Sequence, residues 1–205
     1  MKENLLIIGA GGHGKVVADI AMKMNKWKNI FFLDDEKKES LMRIKVIGKS
    51  EEVINYIENH DVIVAIGNNE IREEIQTKLE KLNATIPVLV HPGAYIGEEV
   101  VIGAGTVIMA GAVINPSTKI GKGCIINTCA TVDHDNVIDD FVHISPGSHL
   151  AGYVRVAKGT WIGIGSCISN NICISKRCVI GAGSVVIKDI HESGTYVGVP
   201  VKKIK

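Results

Sequence analysis

From Val90 to Val186 an aliphatic residue returns at every sixth position: Val90, Ile96, Ile102, Ile108, Ile114, Ile120, Ile126, Val132, Ile138, Ile144, Leu150, Val156, Ile162, Ile168, Ile174, Ile180 and Val186. The next residue is often glycine, as at Gly97, Gly103, Gly121, Gly163 and Gly181. The residue four places on is usually small or β-branched, as at Thr106, Ala112, Thr118, Cys124, Ala130 and Ser148. On an α-helix a stride of six turns through about 600°, which scatters these side chains over three sides. In extended chain an even stride keeps them on one face. Six residues also make one short strand and one turn. All these positions can be buried together only if the chain coils and each strand stacks on an earlier one, at roughly 4.8 Å. The repeat therefore predicts a parallel β-solenoid over 89–205.

Composition limits the partners. Lys plus Arg is 23 against 22 for Asp plus Glu, a net charge of +1, so there is no basic excess to hold nucleic acid or an anionic membrane. No apolar run approaches the roughly 18 residues that cross a bilayer. The opening MKENLLIIGAGGHG turns glycine-rich too soon for a signal peptide, so the chain reads as cytoplasmic. Cys124, Cys129, Cys167, Cys173 and Cys178 form no C-x-x-C pair and read as buried or semi-buried apolar residues, with no metal site.

Residues 1–88 are patterned differently. LLIIGAGGHG is a buried-strand run ending in Gly9, Gly11 and Gly14, spaced G-x-G-x-x-G, and the helical pattern KVVADIAMKM follows. Strand, glycine turn and helix in that order can hold a phosphate on the helix-start N–H groups. Then come strand NIFFLDD, helical SEEVINYIEN, strand DVIVAIG, helix EIREEIQTKLEKL and strand TIPVLV. The alternation predicts an α/β half-Rossmann domain with a small parallel sheet. A dehydrogenase would use the same glycines, with Asp34 on a ribose, but it needs two such halves. A mononucleotide or nucleotide-sugar pocket suits one.

The hexapeptide run resembles the left-handed parallel β-helix acyltransferases, in which three hexapeptides form one triangular coil. GAGGHG, FLDD and IGNNEIR ahead of such a prism, with VGVPVKKI closing the chain, resemble the nucleotide-sugar acetyltransferases. Among these are the UDP-4-amino-sugar N-acetyltransferases of bacillosamine synthesis. The left hand comes from this resemblance.

Acetyl transfer from a thioester to an amine needs a base, donors for the oxyanion, and attack geometry. His134 lies in the polar run Asp133-His134-Asp135-Asn136, which should face outward at a prism corner. Eighteen residues on, Gly152 stacks beside it in the next coil. The resemblance makes His134 the base, with Asp135 raising its basicity where the bacillosamine enzymes carry Glu, and the Gly152 N–H the oxyanion donor. It also implies acetyl-CoA as co-substrate, contacted by His143 and by backbone at Gly152, Ile164 and Ala182. The sugar nucleotide would meet Gly11, Gly12 and His13 at its diphosphate, Asp34 and Asp35 at its nucleoside, and Gly67 at the pocket floor. His13 has a second reading as a helix-start residue facing solvent. Asn127 either binds substrate or holds a turn, and His149 carries no assignment. No cysteine follows His134 closely, so transfer is expected to be direct. His143 lies half a coil beyond His134, on another side of the prism. That points to a homotrimer with active sites between subunits. Sialic-acid O-acetylation, GDP-perosamine N-acetylation and a non-catalytic nucleotide-binding role remain open at this stage.

Overall fold

A computed structural model describes residues 2–37 and 39–205. The chain divides into two units, residues 1–92 and 93–205, the division falling between the hexad residues Val90 and Ile96.

In the first unit β1 (Asn4–Ile8), β2 (Asn29–Leu33), β3 (Val46–Gly48) and β4 (His60–Val64) form a parallel sheet ordered β3-β2-β1-β4. Leu5, Leu6, Ile7 and Ile8 are fully buried, as a strand at the centre of a parallel sheet should be. Helix α1 (Gly12–Met24) follows β1, and α2 (Asn69–Lys81) follows β4. Leu6, Ile8, Leu33, Val62, Val64 and Leu79 form the core. Three details differ from the sequence expectation. Ser50–Asn55 is a 3₁₀ helix rather than an α-helix, and only Val53 within it is buried, so little packing rewards a longer element. Within TIPVLV only Leu89–Val90 is strand, Pro87 having no N–H to pair. Strand β3, three residues long, is too short to carry a period.

In the second unit two-residue strands recur every six residues from Tyr95–Ile96 to Val185–Val186. Each pairs in parallel with the strand eighteen residues away, as in Thr131↔His149, Val137↔Arg155 and His143↔Trp161. These three series are the three walls of a triangular parallel β-helix. The repeating aliphatics point inward; Ile114, Ile126, Val132, Ile144 and Ile180 are fully buried. The corner that carries His134 turns through Ser117, Asp135, Tyr153 and Asn171, all at positive φ.

Hydroxyls inside the prism are paired by a second rule. Thr106 donates to the Gly121 carbonyl at 2.8 Å, Thr118 to Asp133 at 2.7 Å, Ser148 to Gly163 at 2.8 Å, Thr160 to Ser175 at 2.8 Å and Ser166 to Gly181 at 2.9 Å. Each bond runs fifteen residues forward, so a buried hydroxyl satisfies a corner carbonyl of the next coil.

Cys124 and Cys178 are buried, but Cys129, Cys167 and Cys173 are exposed, which corrects the expectation for those three. They occupy a corner and outward strand positions, where a thiol faces away from the column. No helix among the described residues is long and apolar enough to cross a membrane.

Candidate active site

The glycine turn of the first unit is built by close backbone approach. Gly9 has φ +103°, and a Cβ on Gly14 would lie 2.1 Å from the Gly9 carbonyl oxygen. Gly11 and Gly12 are different: a Cβ on either would meet open space. Gly11 caps α1 with no side-chain cap hydrogen bond, so no capping side chain occupies the first N–H groups of the helix. A cleft of about 360 Å³ is lined by Gly9, Gly11, Gly12, His13, Asp34, Asp35, Ser50 and Gly67. All six residues expected at the sugar nucleotide therefore border one cavity.

Within this cleft the roles divide. Asp34 is occupied with backbone: its carboxylate accepts from the N–H groups of Ala10 at 2.6 Å, Lys37 at 2.8 Å and Glu36 at 3.1 Å. Partial burial pushes its carboxyl up, but those N–H groups and the Lys37 charge together hold it below the usual range. Asp34 thus shapes the glycine turn, and Asp35 likewise accepts from the Ser50 N–H at 2.9 Å. His13 buries its Nε2 with no hydrogen-bond partner. Burial, then the nearby Arg72 charge, lowers its pKa to about 4, so the ring is neutral at pH 7. Buried Arg72 donates to the carbonyls of Ile66 at 2.9 Å and Gly67 at 3.0 Å and to Asn69 at 2.6 Å. Asn68 caps α2 through the Glu70 and Ile71 N–H groups, both at 3.0 Å. The GNNEIR motif is thus a device for fixing the loop at Gly67.

In the prism His134 is exposed at its corner, between half-buried Asp133 and Asp135. Its Nδ1 lies 2.8 Å from the Asp135 carboxylate. The shorter Asp side chain reaches the ring. With Nδ1–H donated there, Nε2 is left with its lone pair free. That nitrogen faces Gly152: a Cβ on Gly152 would sit 2.7 Å from both Nε2 and Cε1. Gly152 is buried beneath the ring, and among the described residues no acceptor faces its N–H. Tyr153 packs edge-on against the ring at 5.3 Å. The His134 N–H donates to Asp133 at 2.8 Å, and Asn115, one coil earlier, donates to the same oxygen at 2.7 Å. The Asn115 amide, followed by the His134 N–H, holds the Asp133 carboxyl below its ordinary range.

Asn136 departs from the expected outward run. It is fully buried and bonded inside the corner, because it falls at the fourth place after inward Val132, which the hexad turns toward the column.

His143 lies on a different wall from the strand that leads into His134. It stacks on Trp161, ring centroids 5.8 Å apart and 5° from parallel, and its Nε2 is 3.1 Å from the Asn127 amide nitrogen. Asn127 accepts the Thr128 N–H at 2.8 Å, which fixes its amide so that the nitrogen donates to His143. Ile164 and Ala182 stack on the corner that follows this wall, the Gly183 N–H donating to the Ile164 carbonyl at 2.8 Å. A single chain thus brings together His134, Asp135 and Gly152, and separately Asn127 and His143. Trp161, Asn115 and Asp133 were not singled out from sequence, although an eighteen-residue step links Trp161 to His143 and Asn115 to Asp133. His149 bonds Thr131 at 2.9 Å on the outer face of the first wall. Among the described residues no cluster of His, Cys, Asp or Glu could hold a metal ion.

Comparison with known proteins gives the family. Residues 4–79 match the model of the PglD N-terminal domain, and residues 99–134 that of the bacterial transferase hexapeptide (six repeats). The acetyltransferase domain of PglB from Neisseria gonorrhoeae FA1090, solved in complex with acetyl coenzyme A, is 41% identical with a TM-score of 0.97, covering 100% of both chains. This chain belongs to the hexapeptide-repeat acetyltransferases. PerB from Caulobacter crescentus, solved with CoA and GDP-perosamine, is 31% identical with a TM-score of 0.94, over 98% of this chain and 97% of that one. UDP-N-acetylbacillosamine N-acetyltransferase of Bacillus subtilis is 36% identical over 118 residues, 53% of this chain and 52% of that protein. The matched segment spans about half the length of the curated relatives heading that comparison. The fold is the left-handed parallel β-helix of this family, preceded by a Rossmann-like sheet.

Proposed function

We propose that this chain is an acetyl-CoA-dependent N-acetyltransferase that acylates the amino group of a nucleotide-linked sugar. The observation that carries the reading is the His134 ring, tied to Asp135 through Nδ1 and turned so that Nε2 lies over Gly152. A base with its proton-bearing nitrogen fixed by a carboxylate presents the other nitrogen to an incoming amine. His134 takes the amine proton as the nitrogen attacks the thioester carbonyl. The oxyanion is stabilised by the Gly152 N–H, and coenzyme A leaves as the thiol. The nucleotide diphosphate is assigned to the helix-start N–H groups at Gly11 and Gly12 and to neutral His13, which has one ring N–H to donate. Asp35 and Gly67 border the same cleft.

Two named relatives support the substrate class: the Neisseria domain was solved with acetyl coenzyme A and the Caulobacter protein with GDP-perosamine. A UDP-linked 4-amino sugar is the favoured acceptor, given the likeness to the Bacillus enzyme. A homotrimer with active sites between subunits is favoured by the placement of His134 and His143 on different sides of one prism. Exposed Trp161, Tyr153 and Ile164 point the same way, since large apolar side chains left in solvent mark an interface. A cytoplasmic setting suits both proposed substrates.

The test is release of free thiol from acetyl-CoA with a panel of UDP-, GDP- and CMP-sugars and free sialic acid. Thiol appearing only with a UDP-amino sugar is the expected result. Thiol with sialic acid alone indicates O-acetylation, and none with any acceptor indicates a binding protein. Mixing His134→Ala and His143→Ala chains should restore part of the lost activity if subunits share sites.

A further inference from the structure

Asn136 breaks the pattern of the column it belongs to. Along this corner the inward place four after each aliphatic holds Thr118, Asn136, Val154 and Ile172. All but Ile172 are fully buried, and Ile172 is nearly so. An asparagine there brings two donors and an acceptor into an aliphatic interior, and each must find a partner. All three do. The amide nitrogen donates to the Asp133 carbonyl at 2.6 Å and to the Ala151 carbonyl at 3.0 Å, and the amide oxygen accepts from the Val154 N–H at 2.9 Å. A flipped amide would set its oxygen against two carbonyls, so the orientation is fixed.

The two carbonyls belong to the two peptides that matter most. Asp133 C=O is in the peptide whose N–H is that of His134. Ala151 C=O is in the peptide whose N–H is that of Gly152. A trans peptide is planar with its C=O and N–H antiparallel, so a carbonyl drawn inward turns the attached N–H outward. One buried amide therefore sets both planes: it aims the Gly152 N–H to the outer side of the corner, beneath the His134 ring, and holds the turn from which that ring projects. A carbonyl that accepts a hydrogen bond also makes the N–H of its own peptide a stronger donor. Thr118 already donates to Asp133 C=O, so the bond that Asn136 alone supplies is the one to Ala151.

We propose that Asn136 is a positioning residue for acetyl transfer, which orients the Ala151–Gly152 peptide so that its N–H meets the developing oxyanion. The inference rests on the assignment of His134 and Gly152 made above. The fold supplies its own controls. Val fills this place one coil later, and Thr fills it one coil earlier. The fifteen-residue rule predicts that a Thr at 136 donates to residue 151.

The experiment measures kcat, both KM values and the pH profile for wild type, Asn136→Val, Asn136→Thr and His134→Ala. Asn136→Val is expected to lose at least about tenfold in kcat, a fraction of what deleting an oxyanion donor costs. Both KM values should stay within about twofold, with the acid limb of the profile unmoved. Asn136→Thr should regain most of the loss. A merely structural role would move thermal stability and KM together and would give Thr no advantage over Val. A folded Val variant with near-normal kcat overturns the proposal, as does a limb that moves while the plateau recovers. If Val does not fold, a folded Thr variant that loses more than about tenfold overturns it equally. An active His134→Ala enzyme would instead overturn the assignment of the base, whatever Asn136 does.

Discussion

His13 and His134 put the same side chain to opposite uses in the two units. His13 sits at a helix start with its Nε2 buried and unpartnered, and burial and Arg72 keep it uncharged. His134 stands exposed at a corner with one nitrogen clamped by Asp135. The first ring is held neutral at the edge of a cleft lined by backbone, while under the proposed function the second takes and releases a proton. The glycines divide in the same way. Gly14 is needed because a carbonyl would occupy its Cβ position, whereas Gly152 is needed because the His134 ring would. At Gly14 the constraint is a backbone carbonyl, and at Gly152 it is an imidazole ring.

Four substitutions would break or sharpen that contrast. His134→Ala should lower turnover by about 10²–10⁴ while calorimetry still finds both ligands bound; near-normal turnover would remove it from the chemistry. Gly152→Ala should cut turnover by at least about tenfold, because the new methyl displaces the ring by collision at 2.7 Å. Its unfolding midpoint should barely move, since an exposed imidazole can swing into solvent. Gly14→Ala should show the reverse, a loss on the order of 1–3 kcal/mol in denaturant unfolding of the first unit. Gly12→Ala, with open space at its Cβ, should leave stability alone and weaken only nucleotide diphosphate binding.

A last prediction concerns the pH dependence of stability. His13 protonates near 4 when folded and near its ordinary 6.5 when unfolded, so the unfolded chain binds the extra proton between those values. The stability it contributes is intact above about 6.5 and is lost as pH falls toward about 4. His13→Asn should flatten the unfolding midpoint across that window, and an unchanged slope would mean that the ring is not held neutral. His134→Asn, its ring exposed, serves as the comparison.

Much of this was legible in the residues. The six-residue stride gave the walls, and eighteen-residue steps put Gly152 beside His134 because parallel strands hold register from coil to coil. The same step reaches Trp161 from His143, but only once His143 is known to lie on an outward wall. Other features could not be read. Asp34 directly follows β2 in the place a ribose contact would take, yet its oxygens are spent on three backbone N–H groups whose positions the loop conformation sets. Asn136 looked like one more polar residue of an exposed run, because polarity alone does not say which way the fourth place of a hexad points. Ser50–Asn55 has a helical composition, but one buried side chain was too little to select an α-helix.

The sequence by itself determined the coil, its period, the two-part organisation and the residues that stack, because those follow from side-chain spacing and the geometry of extended chain. Only the tertiary structure decided which nitrogen of His134 is free, which peptide Asn136 turns, and that His13 is neutral. Those depend on hydrogen bonds and burial between residues far apart in the chain, and a change of one ångström or one rotamer would alter them without touching the pattern.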